Sequence, residues 1–141
     1  MFKRQGSLLF ILALTLALTL SLGCAAWKTK ATITYEGTGQ ILTSVQTGAK
    51  MLCDTGQLQP ADCEKLKATY NKARAVYITA GDLLIASMNI EATLKDTTDA
   101  VKKQDLNNQL TKLMADYTAN LNEAGRLVAE LQDLYLQLGG K

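Results

Sequence analysis

The chain has 141 residues, with 15 Lys and Arg against 13 Asp and Glu, one proline and no histidine. Without histidine it lacks the commonest general base and the commonest metal-ligating side chain. No basic stripe with interleaved aromatics is present, so the footprint of a nucleic-acid binder is missing and no nucleic acid is expected as a partner.

The first element opens with Lys3 and Arg4 and continues as an apolar run from Leu8 to Leu22, interrupted only by Thr15, Thr19 and Ser21. A run of about 15 residues suits the core of a cleaved export signal, whereas a membrane-spanning helix usually needs about 20. Gly23-Cys24 then places a small residue directly before a thiol. Together these residues resemble a bacterial lipoprotein signal. The resemblance covers residues 1–24 and departs from the family pattern at Ser21 and Leu22, where leucine and a small residue are preferred. It implies removal of residues 1–23, a covalent lipid such as palmitate on Cys24, and a lipid-anchored tether over 24–31. Cleavage after Ala26, giving a soluble periplasmic protein, and retention as an uncleaved anchor are the alternatives. The expected location is the bacterial cell envelope, on the periplasmic face or the cell surface, with the membrane as one partner. Loss of Lys3 and Arg4 leaves 13 basic against 13 acidic residues, and loss of 23 residues from 141 leaves 118, one domain by size.

Apolar residues next recur at steps of three and four, the spacing of a helical seam. The series Tyr35, Leu42, Val45, Ala49, Leu52 predicts a helix over about 32–54. Its weak points are Gly37, Gly39 and Gly48, each unfavourable by about 1 kcal/mol relative to alanine. Residues 31–35, Ala-Thr-Ile-Thr-Tyr, are β-branched enough to be extended instead. Cys53 and Cys63 follow, flanking a corner in which Gly56 suits a left-handed helix end and Pro60 a first helical turn. With Cys24 lipidated, an even pair remains in an oxidising compartment, which reads as a structural disulfide. A metal site would need more ligands, and a redox pair more naturally has the C-x-x-C spacing.

Cys63, Leu66, Tyr70, Ala73, Tyr77, Ala80 and Leu84 predict a second helix over about 60–94. Leu106, Leu110, Leu113, Tyr117, Ala124, Leu127, Leu131 and Leu134 predict a third over about 98–137, with Asp96 or Thr97 as its N-cap. Asn120 falls on this seam, and Leu121 is expected to take its buried place while the amide turns outward. Folding at Leu58 pairs Ala49 with Leu66, Val45 with Tyr70, Leu42 with Ala73, Thr38 with Tyr77 and Tyr35 with Ala80. Most layers set a bulky side chain against a smaller one, as close packing requires. The fold class is therefore all-α: an antiparallel three-helix bundle over 32–138 with a short tail over 139–141. A two-helix hairpin completed by self-association is the rival.

Leu83 to Ile90 is apolar on more than one face, a pattern normally covered on several sides. Leu83, Ile85, Met88 and Ile90 are taken as the contact with a protein partner or a second copy, although residues 25–34 of the chain are also able to cover them. No nucleophile elbow, phosphate-cradling glycine loop or haem motif is present, so no enzyme and no cofactor beyond the lipid on Cys24 is expected. The reading is a non-enzymatic envelope lipoprotein acting as a helical spacer or adaptor. A periplasmic lipid or small-molecule carrier and a receptor- or channel-blocking surface lipoprotein are the alternatives.

Overall fold

The structure, a computed structural model, describes residues 26–140 and places residues 3–25 only as the start of the first helix. The expected signal and the Cys24 anchor lie outside the described residues. Three helices follow one another: α1 (Lys3–Asp54), α2 (Pro60–Asp96) and α3 (Ala100–Gln137). The chain divides into two compact units, Met1–Ile33 and Thr34–Lys141.

In the first unit the described residues continue α1. The Thr32 hydroxyl donates to the Lys28 carbonyl (3.0 Å), Ala31 is buried and Ile33 is exposed. The described part of the expected tether and the β-branched stretch over 31–35 are thus helical. No proline or glycine lies between Cys24 and Glu36 to stop the helix, and β-branching lowers helix propensity only slightly.

The second unit is an all-α three-helix bundle. Leu42, Val45 and Ala49 of α1, Leu66 and Ala73 of α2, and Leu127, Val128 and Leu131 of α3 form its core. Leu58 from the first corner packs on this cluster together with Leu134 and Leu138, so α3 ends at the level of that corner. Helix ends are set by local chemistry. Gly56 adopts φ +69°, and Gln57 and Gly56 donate their backbone N–H groups to the Leu52 and Cys53 carbonyls (3.0 and 3.1 Å). That pairing closes α1 and needs a left-handed residue, which glycine adopts without a Cβ clash. Pro60 then opens α2. Asp99, rather than Asp96 or Thr97, caps α3, its carboxylate accepting from the Lys102 N–H at 2.8 Å. Thr97 instead closes α2, its N–H reaching the Leu94 carbonyl. Leu121 is buried on α3, while the Asn120 amide donates to the Asp116 carbonyl (2.9 Å).

The stacked tyrosines of α1 and α2 each end on a glycine of the facing helix. Tyr35 reaches across to Gly81, next to the predicted Ala80, and Tyr77 reaches back to Gly39, next to the predicted Thr38, as side chains leaning toward their own helix N-terminus do. A Cβ on either glycine would overlap the phenol end of the facing tyrosine. The two rings stack nearly parallel, with centroids 4.2 Å apart and planes 8° from one another. Each helix therefore carries a tyrosine and, four residues later, a glycine, and antiparallel packing seats each ring on the other helix's glycine. Gly48 receives Tyr135 of α3 in the same way. Of Gly37, Gly39 and Gly48, the weak points by propensity, two are thus seats for aromatic rings.

Tyr117 is 2% exposed, and burial pushes its phenol up to about 12 from an ordinary 10.0. Burial also moves Tyr77 well above its ordinary value. Because both folded values are raised, the stability held by the neutral phenols is complete below pH 10 and is lost as pH rises from there toward 12. Phenolate absorbance is expected to show Tyr77 and Tyr117 titrating late, together with the loss of helical circular dichroism. Titration of these two near pH 10 with the helices intact would contradict this burial.

Candidate docking surfaces

The two predicted bridging cysteines meet as expected. Cys53, in the last turn of α1, and Cys63, in the first turn of α2, form a disulfide with Cα atoms 5.9 Å apart. Their sulfurs close one end of a groove of about 390 Å³ between α1 and α2, floored by Val45, Ala49, Leu66 and Leu131. Charges rim this groove: Lys50 and Asp54, paired at 2.6 Å, on α1, and Glu64 and Lys67 on α2.

The groove between α2 and α3 carries charge on both sides, Lys65 on one and Arg126, Glu130 and Asp133 on the other. Arg126 bonds Glu123 at 2.7 Å and Glu130 at 3.3 Å, and it holds the Glu123 carboxyl below the ordinary carboxylate range. These pairs are exposed, so they set the electrostatic character of the groove more than its stability. The groove between α1 and α3 differs. Its lining of Gln40, Ile41, Ser44, Val45, Gln132, Tyr135 and Leu136 holds no charge in about 400 Å³.

The predicted contact residues Leu83, Ile85, Met88 and Ile90 do not form one patch. Leu84 and Ser87 of the same stretch face the core, the Ser87 hydroxyl satisfied by the Leu83 carbonyl at 2.8 Å. Helical spacing then puts Leu83 and Ile90 on one flank of α2 and Ile85 and Met88 on the other. Only Ile85 stands well exposed, at 59%, and the other three are half-buried. A run that is apolar all round in sequence is divided by the buried face of its own helix.

Among the described residues, no group of His, Cys, Asp and Glu is placed to hold a metal ion. Nor, among them, is any helix long and apolar enough to cross a membrane. Compared with known proteins, the chain matches no family model, no curated protein and no solved structure. Sequence reading missed the reciprocal tyrosine–glycine seats and the uncharged groove. Both leave a trace in the sequence: Tyr35/Gly39 and Tyr77/Gly81 share one spacing, and residues 37–49 contain no charged side chain.

Proposed function

We propose that this chain is a lipid-anchored, non-enzymatic protein of the bacterial cell envelope, in which a rigid helical bundle serves as spacer and docking element. The observation that carries this reading is Gly23-Cys24 directly behind the Leu8–Leu22 run and the Lys3/Arg4 pair. Acylated Cys24 holds the chain at a membrane, since two or more acyl chains anchor firmly where one binds only marginally. The bundle suits a spacer: α2, at 37 residues, is about 55 Å long at 1.5 Å per residue. Its disulfide corner and stacked tyrosines hold the helices in one register. Of the four residues assigned to partner contact, Ile85 is the most available to another envelope component, with Met88 beside it on the same flank.

Cys24→Ser tests the anchor. The substituted protein is expected in the soluble periplasmic fraction, or stalled with its leader uncleaved, while the parent sediments with membranes. A Cys24→Ser protein that is processed and membrane-bound like the parent overturns the lipoprotein reading.

A further inference from the structure

We propose that the Cys53–Cys63 bridge is a redox-sensitive clasp: thiol–disulfide exchange opens and re-forms it in the folded protein, with the α1/α2 groove as the path of the attacking thiolate. This inference does not depend on the lipid anchor. Exchange requires a thiolate to reach one of the two bridge sulfurs. Both cysteines are half-buried, and both line the open groove of about 390 Å³ between α1 and α2. The side chains that rim the groove beside them, Lys50, Asp54, Glu64 and Lys67, are exposed. What is sealed is the floor, where Leu66 and Leu131 are 2% and 1% exposed. A bridge sealed like that floor would be reduced only after unfolding, whereas this one meets solvent in the folded state.

A clasp also has to close again, and the corner has a second closure that uses no sulfur. Gly56 ends α1, the Gln57 and Gly56 N–H groups donate to the Leu52 and Cys53 carbonyls, Leu58 packs on the core and Pro60 opens α2. These contacts persist when the bridge opens. They hold the Cys53 and Cys63 Cα atoms near their 5.9 Å separation, inside the span of roughly 4.4–6.8 Å that a disulfide needs. Opening by a dithiol proceeds in two exchanges. Its thiolate attacks one bridge sulfur, forming a mixed disulfide while the other cysteine leaves as a thiolate. The reagent's second thiolate then attacks its own sulfur in the mixed disulfide and expels the remaining cysteine. Two electrons pass from the dithiol to the bridge, the protons of the two reagent thiols end on the two cysteines, and the reagent leaves as a cyclic disulfide.

The test uses the full chain purified in mild detergent and reduced with dithiothreitol. Free thiols are alkylated at intervals and located by mass spectrometry, and folding is followed by circular dichroism. Reduction is expected to proceed at a rate that stays level as urea is added below the unfolding transition. A rate that instead climbs with the unfolded fraction means that the bridge opens only in the unfolded chain, and overturns the proposal. Lys67→Trp tests the path. A helical side chain lies over the turn before it, so the indole covers the Cys63 end of the groove and slows reduction several-fold. Lys65→Trp, on the α2/α3 groove, is the control and leaves the rate unchanged. Equal rates in both variants overturn the groove as the path. Closure is read separately, by adding oxidised glutathione to the reduced, folded parent. The Cys53–Cys63 bridge is expected as the product, and glutathione adducts on both cysteines would show that the corner parts on reduction and overturn the clasp.

Discussion

Alanine at Gly39 is expected to destabilise the bundle, whereas alanine at Gly37, two residues earlier on the same helix, is expected to stabilise it. Both substitutions gain about 1 kcal/mol of helix propensity. At Gly37 nothing opposes that gain, because the new Cβ meets no atom. At Gly39 the Cβ overlaps the hydroxyl oxygen and ring end of Tyr77, and the ring has to leave its seat. Overpacking of this kind costs about 1–3 kcal/mol. Displacing Tyr77 also disturbs its stack on Tyr35, and an aromatic pair contributes about 0.5–1.5 kcal/mol beyond its buried area. The losses outweigh the propensity gain, and a net destabilisation of about 1–3 kcal/mol is expected at Gly39. Tyr77→Phe removes the nearest clashing atom, so Gly39→Ala is expected to cost less in that background. A double-mutant cycle in urea measures the coupling. Equal effects at Gly37 and Gly39, or no coupling to Tyr77, would show that the glycine is no seat.

Reduction of Cys53–Cys63 is the second large effect. The bridge closes a loop with a sequence separation of 10. On the chain-entropy view, a loop of that length lowers the unfolded state's entropy by the equivalent of a little under about 3 kcal/mol. Helix content is expected to change little on reduction, because core contacts extend beyond the corner through Leu42, Val45, Ala73 and Leu127. The midpoint of urea unfolding should fall while the starting dichroism stays the same. The corner also retains a non-covalent closure, since Gly56 still ends α1 and Leu58 still packs on the core. Collapse of helical signal on reduction alone would show that the bridge, rather than packing, holds α1 against α2.

The helices were legible because their causes are local or periodic. A 3.6-residue apolar rhythm, a glycine and a proline at the first corner and an even cysteine pair each act within a few residues. The N-cap of α3 was misread by two or three residues because Asp96, Thr97 and Asp99 all suit a cap, and only the path of the chain chooses among them. Residues 31–35 were misread because β-branching is a weak preference that a continuing helix overrides. The apolar run over 83–90 was half legible. Its apolar character is sequential, but its division into two flanks follows from which side of α2 faces the core.

The sequence by itself determined the number of helices, their approximate ends apart from the start of α1, the disulfide partners and the three-helix class, since each follows from short-range spacing. Tertiary structure alone decided which glycine each stacked tyrosine meets. That choice depends on a ring from one helix finding a glycine on another, a fit between residues 38 and 46 positions apart. It also decided which faces were left over. Residues 37–49 of α1 are uncharged already in the sequence, and packing shows that part of this stretch lines a groove with Gln132 and Leu136 of α3 while the charges of the other two grooves lie elsewhere.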